Sequence, residues 1–387
     1  MVATFQSEMT APRQHADELP RILPSLTGLR FFAAALVVIY HMTSHLGAVP
    51  IVSDLAKFGR TGVTFFFVLS GFVLTWTYMG KKTPVGVYYW RRFARIWPLH
   101  ILTTMLMMSV YVWTDNKIAN ELTPENLWPA FFLIHSWFPE PAVYRGGSGA
   151  SWSLSDEMFF YAIFPMLLAL LAPVRRWGRL LSIPLVMTGI SLLLWLIVPM
   201  EGVGPYLRTM LLDYFPLSRV VQFISGVALA VAIRHGWRCR VPVWAAIMVI
   251  VAYHAALVPW SNAFERTDRW YPYSASQLFS LLPFALLIAA VATHDLKGRP
   301  SFLAWPSFVL LGQASFAWYL LHSPGILTYA HLFGIPNSLP SLMLAWTVVA
   351  VVTQLLSIVA FQYFERPLER KLRGLVPLRR QTHLAAS

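Results

Sequence analysis

Arg30 and His41 stand in the first long apolar run of the sequence. Eleven helical positions are almost three full turns, so both side chains leave one face, about 16 Å apart along the axis. Ionisable groups in an apolar span are costly unless they are paired or face water, which makes them candidates for chemistry. A neutral imidazole at His41 could take a proton from a hydroxyl. It could equally be a packing histidine, hydrogen-bonded across a helix bundle. Glu157 follows the run Ser151 to Asp156 and opens a later apolar segment, at a depth read as close to that of His41. A carboxylate beside an imidazole fixes its tautomer and stabilises the imidazolium, as a base in acyl transfer requires. Asp156 and Glu157 are also explained as helix-start carboxylates favoured by the dipole.

His322 lies at a similar depth in another apolar run, with Tyr319 one turn earlier on a nearby face. Arg91, Arg92 and Arg95 gather before a third run. Ordinary positive-inside anchoring accounts for any one of them. Together with Arg30 they could hold a polyphosphate, since guanidinium forks grip phosphate oxygens bidentately. A cationic mouth of this kind would seat an acyl carrier such as coenzyme A, with the thioester arm threading toward His41 and Glu157. A bilayer-deep site would then keep water from the thioester. The other histidines show no metal spacing, and there is no HExxH, Walker loop or GxSxG. No metal and no permanently bound cofactor is expected.

Helices embedded in a membrane must position these groups. The chain has 387 residues, 57% hydrophobic and only 12% charged, against about 25% charged in soluble domains. Apolar runs of spanning length recur throughout. The fold class expected is an all-α, polytopic integral membrane bundle of about ten transmembrane helices. The spans are read at 27–47, 61–79, 97–114, 156–172, 180–199, 217–233, 241–259, 275–293, 308–329 and 341–364. The first is read as an uncleaved anchor. The apolar stretch 127–137 is too short to cross and is expected to be re-entrant or interfacial. Residues 1–23 and 371–387 read as tails around a single membrane domain, 24–370. Ser70-Gly71 suits close helix packing. The lone Cys239 excludes an internal disulfide.

A net charge of +13 would suggest nucleic acid for a soluble protein. Here the cations sit between apolar spans and set orientation, so no nucleic-acid partner is expected. With a cytoplasmic N-terminus, 21 Lys and Arg fall in inner segments and at most 8 in outer ones. Both termini are therefore expected in the cytoplasm. Trp and Tyr near the span ends fit interfacial anchoring, and the segment 115–155 is the longest outer loop.

Several motifs occur in order along the chain: Arg30-x10-His41, Phe66-Phe67-x2-Ser70-Gly71-Phe72, Arg91-Arg92-x2-Arg95-Ile96-x-Pro98, Trp152-Ser153-Leu154-x2-Glu157, Ser315-Phe316-x2-Tyr319-x2-His322 and Phe364-Glu365-Arg366-Pro367. Together they resemble the acyltransferase 3 family of bacterial integral-membrane O-acyltransferases over residues 24 to 370. The resemblance implies an acyl-CoA co-substrate, a hydroxyl acceptor and functional roles for Arg30, His41 and Glu157. One departure is that Met158 follows the glutamate where members often carry a second carboxylate. The soluble hydrolase-like domain fused to some members is not expected here. The opening around Arg30 is similar to actinobacterial members, including those that acylate macrolide antibiotics.

The expected protein is thus a multi-pass bacterial membrane enzyme moving an acetyl or short acyl group to a hydroxyl. His41 and Glu157 are the catalytic pair, Arg30, Arg91, Arg92 and Arg95 bind the donor, and Trp152, Ser153, Tyr319 and His322 contact the acceptor or line the site. The favoured acceptor is a macrolide, with an exported or cell-envelope polysaccharide as the alternative. A ten-helix transporter or flippase is the rival of another class. Such proteins commonly show internal repeats, and none stands out in this sequence.

Overall fold

The computed structural model describes residues 19–20, 22–49, 52, 56–198, 204–264 and 270–376. Most of the expected N-terminal tail, and the C-terminal tail from 377 on, lie outside the described residues. The longer helices are α1 (Pro24–Leu46), α2 (Thr61–Tyr78), α3 (Val85–Trp113), α4 (Trp152–Leu171), α5 (Trp177–Ile197), α6 (Pro216–Arg234), α7 (Val243–Phe264), α8 (Trp270–Phe279), α9 (Leu281–Leu296), α10 (Pro306–Phe333), α11 (Leu339–Ala360) and α12 (Arg366–Gly374). No strand occurs among the described residues.

Each of the ten expected spans falls on helix. Among the described residues eight stretches are both long and apolar enough to cross a membrane, which makes the protein an all-α polytopic membrane bundle. The other two differ for separate reasons. The apolar part of α7, Val243–Pro259, is shorter. Helix α10 is long but carries Ser315, Tyr319 and His322 into the bundle, where it packs along α1 and α11.

Two helix boundaries move functional residues. The third span was read from residue 97, yet α3 begins at Val85, directly after Pro84. No glycine or proline separates Gly86 from Pro98, so the arginines belong to the helix rather than to a loop before it. The fourth span was read from residue 156, yet α4 begins at Trp152. Glu157 is therefore more than a turn inside α4, and the helix-start explanation does not apply to it. At the far end, α11 passes through a π-helical turn, Phe361–Glu365, into α12. The expected tail boundary at residue 371 falls inside α12.

Glycines set how closely the central helices meet. A Cβ on Gly226 of α6 would run into the Val68 carbonyl of α2, and one on Gly71 would meet the Phe223 carbonyl. The packing role read for Ser70-Gly71 is thus realised against α6, and it turns neighbouring Ser70 into the interior. A Cβ on Gly312 would likewise strike the Thr27 carbonyl, which seats α10 directly on α1.

The segment 127–137 does not cross. It forms the short helix Pro124–Phe131 and a turn at His135–Trp137. Its polar groups are bonded inward: His100 to the Ala130 carbonyl at 2.8 Å, and the Ser136 hydroxyl to Asp156 at 2.8 Å.

Candidate active site

The close α1–α10 contact places the His41 ring 4.9 Å from that of His322, between centroids. Tyr319 follows one turn along α10, its ring 5.9 Å from His322. The Tyr319 hydroxyl lies 2.8 Å from the Ser153 hydroxyl and donates to the Ala150 carbonyl, also at 2.8 Å. This ties α10 to the start of α4. His322 is fully buried, and its Nε2 lies 3.2 Å from the Ser323 hydroxyl.

From Tyr319 and Ser153 an open cleft of about 950 Å³ runs between α1, α2, α3, α4 and α10 toward Arg30. Its polar wall comprises Arg30, Ser70, Arg92, Arg95, Glu157 and Tyr161, with Phe66, Phe67 and Phe316 among the apolar groups. Polar groups at the two ends with aromatics between them suit an elongated ligand with a charged head.

The structure redistributes the expected residues. Arg30, Arg92 and Arg95 share the cleft wall, but Arg91 lines no part of it. One helical step rotates a side chain by about 100°, so the face carrying Arg92, Arg95 and Ile96 excludes it. Ser153 and Tyr319 line the cleft. Trp152 does not. Its indole is buried between Phe67 and Tyr214, with the Arg219 guanidinium 5.8 Å from the ring centre.

Glu157 changes neighbours altogether. Its carboxyl faces Arg30, Arg95 and the Ser70 and Tyr161 hydroxyls, and nothing joins it to His41 among the described residues. The helical rise explains why. Ser153 to Glu157 runs toward the Arg30 end while Tyr319 to His322 runs away from it. The two stretches put Glu157 roughly 10 Å below the imidazoles. The expected His41–Glu157 pair is therefore not formed.

Several residues of the site were missed in the sequence. Tyr161 stands four positions after Glu157, a spacing that could have flagged a shared face. Arg95 is ion-paired with Glu365, which is 3% exposed, and with Glu369 at 3.3 Å. Near His41, Arg60 lies 3.7 Å from Asp213 and 3.4 Å from the Tyr214 hydroxyl, its guanidinium 5.8 Å from the Tyr40 ring centre. Asp213 and Tyr214 are delivered by a π-helical turn, Met210–Tyr214, a feature frequent at functional sites. No group of residues able to hold a metal ion occurs among the described residues.

A family model for an acyltransferase domain, the acyltransferase 3 family, matches residues 23–362. The chain belongs to this family. It is 31% identical over 330 residues to the acyltransferase MdmB of Streptomyces mycarofaciens, covering 81% of each chain. It is 23% identical over 370 residues to the O-acetyltransferase OatA of Staphylococcus aureus, covering 91% of this chain and 58% of OatA. No solved structure matches it. The protein is accordingly an acyl-transferring membrane enzyme, and the transporter reading gives way.

Proposed function

We propose that this acyltransferase takes an acetyl or other short acyl group from acyl-CoA and transfers it to a hydroxyl of a macrolide-type small molecule. The observation that carries this reading is the cleft with guanidiniums at one end and, beyond Tyr319 at the other, the His41–His322 pair. The donor's phosphates lie among Arg30, Arg92 and Arg95, and its thioester arm runs along the aromatic wall. The acceptor hydroxyl meets the acyl carbon near Tyr319. His41 takes the hydroxyl proton as the oxygen attacks the thioester carbonyl. The C–S bond then breaks, and the thiolate leaves with that proton as a free thiol. Glu157 serves as a positioning residue that holds Arg30 and Arg95 over the cleft. The Arg30 end, and so the donor, faces the cytoplasm, a reading that the charge bias of the loops supports.

The macrolide is favoured over a cell-envelope polysaccharide by the sequence around Arg30, which is similar to that of actinobacterial members. The test is to incubate membranes containing the protein with labelled acetyl-CoA and a macrolide bearing free hydroxyls, then to find the label in a product heavier by one acetyl group. His41→Ala should abolish that product. Full turnover by this variant would refute the assigned base, and label appearing only in glycan would move the acceptor to the polysaccharide.

A further inference from the structure

Beyond the cleft the Arg30 end opens into a second hollow of about 670 Å³, lined by Arg30, Arg95, Gln313, Phe361, Arg366, Glu369, Arg370 and Arg373. Arg30 and Arg95 line both spaces, so the hollow is the vestibule of the cleft. Its far wall is α12. Arg366, Arg370 and Arg373 recur there at intervals of four and three, which places them on one face over about 10 Å of helix.

Helix α12 is fastened in place. The Trp90 indole donates to the Leu372 carbonyl at 2.7 Å, and Glu369 is ion-paired with both Arg95 and Arg373. Glu365 takes up more of the charge of Arg95. Among the described residues neither Arg366 nor Arg370 has an ion-pair partner. Five guanidiniums thus line the vestibule with a single carboxylate, Glu369. Such an excess selects an anion, and planar forks spaced along a helix suit several phosphate groups better than one.

We infer that α12 is the phosphate-gripping lip of the donor site, with Arg366 and Arg370 joining Arg30, Arg92 and Arg95 in holding the nucleotide phosphates of the acyl carrier while its pantetheine arm enters the cleft. This rests on the acyl-CoA reading above. It extends that reading to residues which, by position alone, look like a basic tail that orients the last span.

Binding measurements test it without knowledge of the acceptor. Protein purified in detergent is titrated calorimetrically with coenzyme A, 3′-dephospho-coenzyme A and pantetheine. In the parent protein affinity should fall in that order. Arg366→Ala and Arg370→Ala should each weaken coenzyme A about tenfold, the scale of a lost charge-assisted hydrogen bond, while pantetheine affinity stays within twofold. Arg370→Lys should recover part of the loss, and melting curves establish that the variants are folded. An unchanged ratio of coenzyme A to pantetheine affinity in the alanine variants would overturn the role of α12, as would equal weakening of both ligands. If the parent protein itself binds none of the three, the acyl-CoA reading fails, and that is seen before any variant is made.

Discussion

The imidazoles of His41 and His322 lie 4.9 Å apart between ring centres, and no carboxylate completes the pair among the described residues. The nearer company of His41 is Tyr40, His45 and, further out, Arg60 with its Asp213 partner. A base flanked by a second imidazole can hand a proton on, whereas a base flanked by a carboxylate mainly holds it. We therefore expect His41→Ala to lower kcat by at least two orders of magnitude, within the usual range for a general base. His322→Ala should lower kcat by roughly tenfold to a hundredfold while the KM for the donor stays unchanged. Steady-state kinetics in membranes check both. A His322 variant with altered donor KM and normal kcat would place that ring in the binding wall instead.

Glu157 gives the sharper contrast, because two roles predict different kinetics. As the partner of Arg30 and Arg95 in the cleft, its replacement by glutamine should raise donor KM by about tenfold. Turnover at saturation should then fall by less than that. Were Glu157 the orienting carboxylate of His41, the loss would fall on kcat and approach ~10⁴-fold, as in triads that lose their orienting acid. Measuring kcat and KM separately distinguishes the two.

Hydropathy locates apolar runs well, so each expected span proved helical. It locates helix ends poorly wherever polar residues are themselves helical. The run Trp152 to Asp156 is rich in serine and reads as loop, yet it is the first turn of α4, bonded through Ser136 and Tyr319. Starting the helix there carries Glu157 inward by more than a turn and away from His41. The same limit hid α12. A run of arginines after the last span reads as a topology signal, and it is the packing of α12 on α3 that brings three of them to the Arg30 end. Arg30 and His41 were legible because one uninterrupted helix fixes their spacing.

The crossing of α2 and α6 should tolerate nothing larger than glycine at its centre. Because a Cβ on Gly226 would meet the Val68 carbonyl, which is backbone and cannot swing aside, Gly226→Val must part the helices. Overpacking of this kind costs about 1–3 kcal/mol. A lowered melting temperature in detergent should accompany weaker donor binding, since Ser70 and Phe67 of the cleft wall ride on α2. Gly189→Val is the control. It lies in α5 with open space around its Cβ position and should leave both measurements close to those of the parent protein.

The segment before α4 should make the protein sensitive to acid. His135 lies outside the spanning helices and is fully buried, its ring 6.5 Å from that of His100 and its Nε2 3.3 Å from the Ser151 hydroxyl. Burial, with the neighbouring His100 adding to it, pushes the imidazole down to about 3 from the usual 6.5. Between those values the unfolded chain binds a proton at this position that the folded chain refuses. The associated stability is therefore complete above pH 6.5 and is lost as the pH falls toward 3, with a slope of up to about 1.4 kcal/mol per pH unit. Melting temperature measured from pH 7 to pH 4 should fall, and His135→Gln, which removes the titration but keeps a polar side chain, should flatten that fall. Parallel curves for the two proteins would show that His135 can be protonated without disturbing its burial.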